Sequence, residues 1–60
     1  MSLMSVSDVA EFLGVQEIRV ERLERESLLV AAGQDENGKP MFKREDVVKY
    51  KEFAERLGGL

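Results

Sequence analysis

The sequence predicts a mainly α fold: three helices, the first two joined by a tight turn, with a small two-stranded β-hairpin between the second and third. Three observations predict it. Apolar residues recur at helical spacing from Val6 to Leu13, stop at Gly14, and return in helical register at Val20 and Leu23. A polar run ending in Asn37-Gly38 separates two short apolar stretches, which is a hairpin signal. A last helical pattern starts near Arg44 and runs into Gly58-Gly59.

Each element has a local reason. Ser5 is a good N-cap and Asp8, three residues on, completes a capping-box-like pair, so the first helix spans residues 6–13. Gly14 sits where a left-handed residue ends a helix. The second helix covers residues 16–26, with Val20 and Leu23 on one side. Residues 28–32, Leu-Leu-Val-Ala-Ala, are too short for a helix and read as a buried strand. The return strand falls on residues 39–42, and Pro40, having no N–H to donate, marks it as an edge strand. In the third helix Glu45 and Asp46 occupy the first turn, where the dipole favours acids, and Val47, Tyr50, Ala54 and Leu57 form one core stripe. Val48 and Phe53 fall off that stripe and are expected to be partly exposed. Residues 1–3 read as a disordered start or an expression remnant, with Met4 as a native start; residues 4–57 form the domain and residues 58–60 a tail.

Composition removes whole classes of chemistry. The 60 residues make one small domain with no cysteine and no histidine. A disulfide framework, a thiolate zinc site and the commonest general base are therefore missing together. No apolar run approaches the roughly 20 residues of a membrane helix, so a cytoplasmic protein with no membrane partner is expected. Glu45-Asp46 and Asp35-Glu36 are adjacent carboxylates without a nucleophile–base pair. Residues 35–38 lack the alternation and closing Glu of a calcium loop, and residues 33–38 lack the Lys-Ser/Thr of a phosphate loop. No enzyme, cofactor, metal or small-molecule ligand is expected.

Nine Lys and Arg against twelve Asp and Glu give a net charge of −3. An overall basic domain is the usual footprint of a nucleic-acid binder, but phosphates respond to the local field. What matters is where the cations gather. On the second helix Ile18, Arg22 and Arg25 share the side opposite Val20 and Leu23, with Glu21 beside them and Arg19 on a flank. An isoleucine within an arginine stripe suits a face that touches something.

Three blocks of residues resemble a known plan. Residues 4–15, Met-Ser-Val-Ser-Asp-Val-Ala-Glu-Phe-Leu-Gly-Val, look like the opening of the excisionase-like and MerR-like winged-helix DNA-binding domains, where a capping Ser/Thr precedes an Ala, a Leu and a Gly-Val. Ser27-Leu28-Leu29 stands where that family usually has Gly-Leu-Leu or Gly-Leu-Ile after its recognition helix. Phe42-Lys43-Arg44-Glu45-Asp46-Val47 looks like its aromatic-x-x-Glu-Asp-Val/Leu lead-in to the last helix. The resemblance covers residues 4–57 and implies a helix-turn-helix with a β-hairpin wing that binds double-stranded DNA. It implies a transcriptional regulator or a recombination directionality factor.

On that reading Arg22 and Arg25, with Arg19 beside them, are the groove-reading candidates, because a planar guanidinium pairs bidentately with guanine or clamps a phosphate. Ile18 suits a thymine methyl, and Gln16 at the helix start suits a base edge or phosphate. The plain alternative is a solvated face laced by Glu21–Arg25 and Arg22–Glu26 pairs, each contributing ~0.2–0.5 kcal/mol. Lys39, Lys43 and Arg44 follow the hairpin turn and are candidate backbone clamps at the base of the wing, since phosphate contacts position without specifying. Asp35 and Glu36 at the hairpin tip argue against its deep insertion into a minor groove. So few contacts make a monomer weak, so a homodimer or a cooperative array on DNA is expected. The alternative function is a protein-interaction module on the same fold, docking a partner through Ile18, Val48 and Phe53.

Overall fold

The computed structural model describes residues 3–58. Its elements in chain order are β1 (Leu3–Ser5), α1 (Val6–Leu13), α2 (Glu17–Arg25), β2 (Gly33–Gln34), β3 (Pro40–Lys43) and α3 (Arg44–Arg56). Three helices thus pack with one antiparallel sheet in the order β1-β3-β2.

α1 begins where the capping box places it. The Ser5 hydroxyl accepts from the Asp8 N–H at 3.1 Å, and the Asp8 carboxylate accepts from the Ser5 N–H at 3.2 Å. Two otherwise orphaned helix donors are satisfied reciprocally. Gly14, at φ 73°, ends the helix: its N–H reaches the Glu11 carbonyl at 3.3 Å, and the Val15 N–H reaches Ala10 at 3.0 Å. α2 ends the same way on a serine. The Ser27 N–H donates to Glu24 at 3.0 Å and the Leu28 N–H to Leu23 at 2.8 Å, with Ser27 at φ 63°. This paired pattern is the Schellman motif, which normally takes glycine at the left-handed residue. Gln16 and Glu26 flank α2 as cap residues instead of belonging to it, and the Gln16 side chain makes no capping bond.

The strand expected at residues 28–32 is not there. The Leu28 and Leu29 N–H groups both go to the Leu23 carbonyl, at 2.8 and 3.2 Å, so their donors close a helix and are lost to a sheet. Ladder bonding starts only at Ala32, whose N–H reaches Met41 at 2.8 Å, and β2 proper is Gly33–Gln34. The return strand runs one residue later than expected, as Pro40–Lys43.

Nor is the sheet two-stranded. Leu3, set aside with the start of the chain, pairs with Lys43 in β1, followed by Met4 with Phe42 and Ser5 with Met41. β3 is therefore central, and Pro40 is not on an edge strand. Proline is tolerated because it is the first residue of β3: β1 pairs only with Met41, Phe42 and Lys43, while Pro40 faces Gln34 of β2. The expected character of residues 1–2 and of the tail at 59–60 lies outside the described residues.

The hairpin tip is held by Asp35. Its carboxylate accepts from the N–H groups of Asn37 at 2.8 Å and Lys39 at 2.9 Å. Gly38 closes the turn at φ 80°, with its N–H on the Asp35 carbonyl at 3.0 Å.

Phe42, Val9, Val20 and Val47 are wholly buried at the centre, joined by Met4, Val6, Ala10, Leu13, Leu23 and Leu29. Every element but the short β2 contributes. On α3, Val47 and Ala54 are buried and Tyr50 packs against the core, but Leu57 is 71% exposed and leaves the expected stripe. It lies one residue past the last helical residue, where nothing covers it. Val48 is half-buried and Phe53 exposed.

Candidate nucleic-acid interface

α2 is amphipathic in the sense that decides its use. Val20 and Leu23 are buried against the core, and the opposite side carries Ile18, Arg19, Arg22 and Arg25, all exposed. Ile18 stands 64% exposed amid the guanidinium groups. No element of the described chain covers this side.

Val15, Gln16, Ile18, Arg19, Arg22 and Arg25 together line one shallow surface depression. Its lining holds three guanidinium groups and no carboxylate. A chain of net charge −3 thus keeps one locally cationic surface. Among the described residues the one ion pair is Arg22 to Glu26, at 3.9 Å between side chains 67% and 57% exposed. A pair so long and so wet is worth a few tenths of a kcal/mol, about as much as water or a phosphate would readily replace. Of the two pairs that a plain solvated face would carry, Arg22–Glu26 forms and Glu21–Arg25 does not. Val15 also lines the depression, because it follows Gly14 at the turn; the Gly-Val pair is its only sequence signal.

The cations after the hairpin divide into two groups. Lys39 lines a second depression with Arg25, Gly38 and Pro40, beside α2. Glu21 and Glu24 line it too, so this junction is charge-balanced. Lys43 and Arg44 lie at the other end of β3, about 13 Å along the strand from Lys39. There Lys43 pairs with Leu3, and the Arg44 guanidinium sits 5.5 Å from the centre of the Phe12 ring on α1. The Lys51 ammonium also approaches that ring, at 4.7 Å. Phe12 is thereby flanked by two cations, an arrangement worth about 0.5–1 kcal/mol for each at an exposed site. The eight residues singled out from the sequence fall into one compact set on α2 joined by Lys39, and a separate pair at the foot of α1.

The described residues include no cluster of three or more acidic, His or Cys side chains placed to hold a metal ion. None of the described helices is long and apolar enough to cross a membrane. No family model, curated protein or solved structure matches the chain.

Proposed function

We propose that this chain is a non-enzymatic, cytoplasmic double-stranded DNA-binding domain of the excisionase-like or MerR-like winged-helix kind, with α1 and α2 as its helix-turn-helix and the β2–β3 hairpin as its wing. α2 enters the major groove. Arg22 and Arg25 read base edges or clamp phosphates, Arg19 supports them, and Ile18 and Gln16 meet the bases near the start of the helix. Lys39, beside Arg25, holds the backbone at the wing. Lys43 and Arg44 reach phosphates only if the duplex passes the foot of α1, so they contribute least. The role that follows is transcriptional regulation or recombination directionality.

One observation carries the reading: an uncovered, carboxylate-free depression lined by Arg19, Arg22 and Arg25 on the outward side of a short helix whose other side is core. Glu26 pairs with Arg22 only at 3.9 Å from outside this lining, and Glu21 and Glu24 line the neighbouring junction with Arg25, so the depression itself presents guanidinium groups as its only charges. The competing function, a protein-docking module, draws on the exposure of Ile18 and Phe53, yet Phe53 on α3 lines a different depression from Ile18.

Fluorescence anisotropy on random duplex at two salt concentrations separates the two. DNA binding through several Lys and Arg contacts weakens with a slope near −0.9 per phosphate neutralised. Apolar docking is nearly indifferent to salt. Absence of binding to duplex at low salt would overturn the proposal.

A further inference from the structure

Leu3, Ile18, Leu28, Val30, Phe53 and Leu57 are the large apolar side chains left exposed. Four of them gather on one side of the molecule. Leu28, Val30 and Phe53 line a single depression with Leu29, Asp46, Lys49 and Tyr50. Leu57, the cap residue one past the end of α3, follows Phe53 by four residues and so extends the same side of the helix beyond that depression. Leaving this strip in water is unfavourable for a chain of 60 residues with a small core, and a contiguous apolar patch marks an association surface.

The charges beside the strip say what covers it. Glu45, Lys49, Glu52 and Arg56 follow one another on α3 at steps of four, three and four residues, so they form one row along the helix. All four are exposed, and none is ion-paired within the described chain. Their signs run −, +, −, +. Turned end over end, that row is its own complement: an antiparallel copy sets Glu45 against Arg56 and Lys49 against Glu52, each pair occurring twice about a two-fold axis. A parallel copy would instead oppose like charges. In an antiparallel two-fold pair the same flank of each helix meets its counterpart, which is the arrangement an isologous interface requires. α3, at 13 residues, is about 20 Å long, enough for all four pairs.

From these two features we infer that two copies of this chain associate through antiparallel α3 helices, covering Phe53, Leu57, Leu28 and Val30 under a self-complementary charge row. This goes beyond the proposed DNA contact and does not depend on it. The depression lined by the arginines and the one lined by Phe53 share no residue, so pairing leaves both cationic surfaces open.

Sedimentation equilibrium on the full chain without DNA tests the association. The mass should rise with concentration from 6.8 kDa towards twice that value. Phe53→Asp should weaken association about tenfold or more, because an apolar anchor is replaced by a charge. Lys49→Glu should weaken it about threefold, and adding Glu52→Lys to that variant should restore it. Circular dichroism melts confirm that the variants remain folded. A mass fixed at 6.8 kDa into the millimolar range overturns the inference, as does association indifferent to Phe53→Asp, or a double reversal that fails to recover. The anisotropy titration runs independently, so DNA binding by a chain that never pairs would sink the dimer alone.

Discussion

Ser27 ends α2 with the same backbone turn that Gly14 uses to end α1: φ is 63° at the serine and 73° at the glycine, and each is followed by an N–H bonded back to the carbonyl five residues before it, Leu28 to Leu23 and Val15 to Ala10. The geometry is shared but its cost is not. A residue with a Cβ in the left-handed region is disfavoured by roughly 1–2 kcal/mol, whereas glycine is not. Ser27→Gly should therefore stabilise the domain by about 0.5–1 kcal/mol, the relief being reduced by the greater freedom of glycine in the unfolded chain. Gly14→Ala, where a Cβ meets open space but φ is unchanged, should destabilise by about 1 kcal/mol. Urea unfolding of the two variants checks both signs.

The start of α2 offers a complementary gain. Gln16 is the N-cap residue, extended at φ −81° and ψ 156°, and its side chain caps nothing. Serine in that conformation would accept from an N–H of the first turn, as Ser5 does at α1. Gln16→Ser should stabilise by about 0.5–1 kcal/mol in a thermal melt. Because Gln16 also lines the cationic depression, the same variant separates stability from recognition: a more stable protein with weaker duplex binding identifies the amide as a DNA contact.

α1 was legible from sequence because everything that fixes it is local: Ser5 and Asp8 are three residues apart, and Gly14 carries its own conformational signal. The outward face of α2 was legible for the same reason, since helical periodicity alone sends Arg22 and Arg25 to the side opposite Val20 and Leu23. β1 was not. Three residues cannot show an alternation, and its partner Phe42 is remote in the chain from Met4. The strand misplaced onto residues 28–32 has a subtler origin. Their apolar composition suits a strand, but a left-handed serine commits the Leu28 and Leu29 donors to Leu23, and serine does not announce that conformation as glycine does. The position of Lys43 and Arg44 was hidden for a related reason. With β1 alongside and β3 central, the far end of β3 is brought beside Leu3 and Phe12, away from the α2 arginines that Lys39 accompanies.

Asp35 is the hairpin's own clasp, and its role there is structural. Its carboxylate holds the Asn37 and Lys39 N–H groups at 2.8 and 2.9 Å, which fixes the entry of the chain into β3 at Pro40. Asp35→Ala removes two charge-assisted bonds at an exposed turn, so the loss should be modest, about 1 kcal/mol. Hydrogen exchange should show it first in the Lys39 amide, while amides of α1 exchange as before. Asp35→Asn keeps an acceptor oxygen and should recover most of the protection.

The arginines of α2 and the lysine of the wing should respond differently to removal, since base contacts specify and phosphate contacts position. Arg22→Ala should cost about 1–3 kcal/mol on a preferred duplex and flatten the preference between sequences if its fork reads a guanine. Lys39→Ala should weaken binding to every duplex alike, by less, and lower the salt slope by about 1. The Lys39 effect is further reduced because Glu21 and Glu24 line the same junction and already offset its charge. Arg44→Ala is the internal control: its guanidinium faces Phe12 on α1, so it should alter stability slightly and duplex affinity least. Competition titrations with two unrelated duplexes at matched salt read all three. Equal loss from Arg22→Ala and Arg44→Ala would mean that binding follows total charge and not the α2 face.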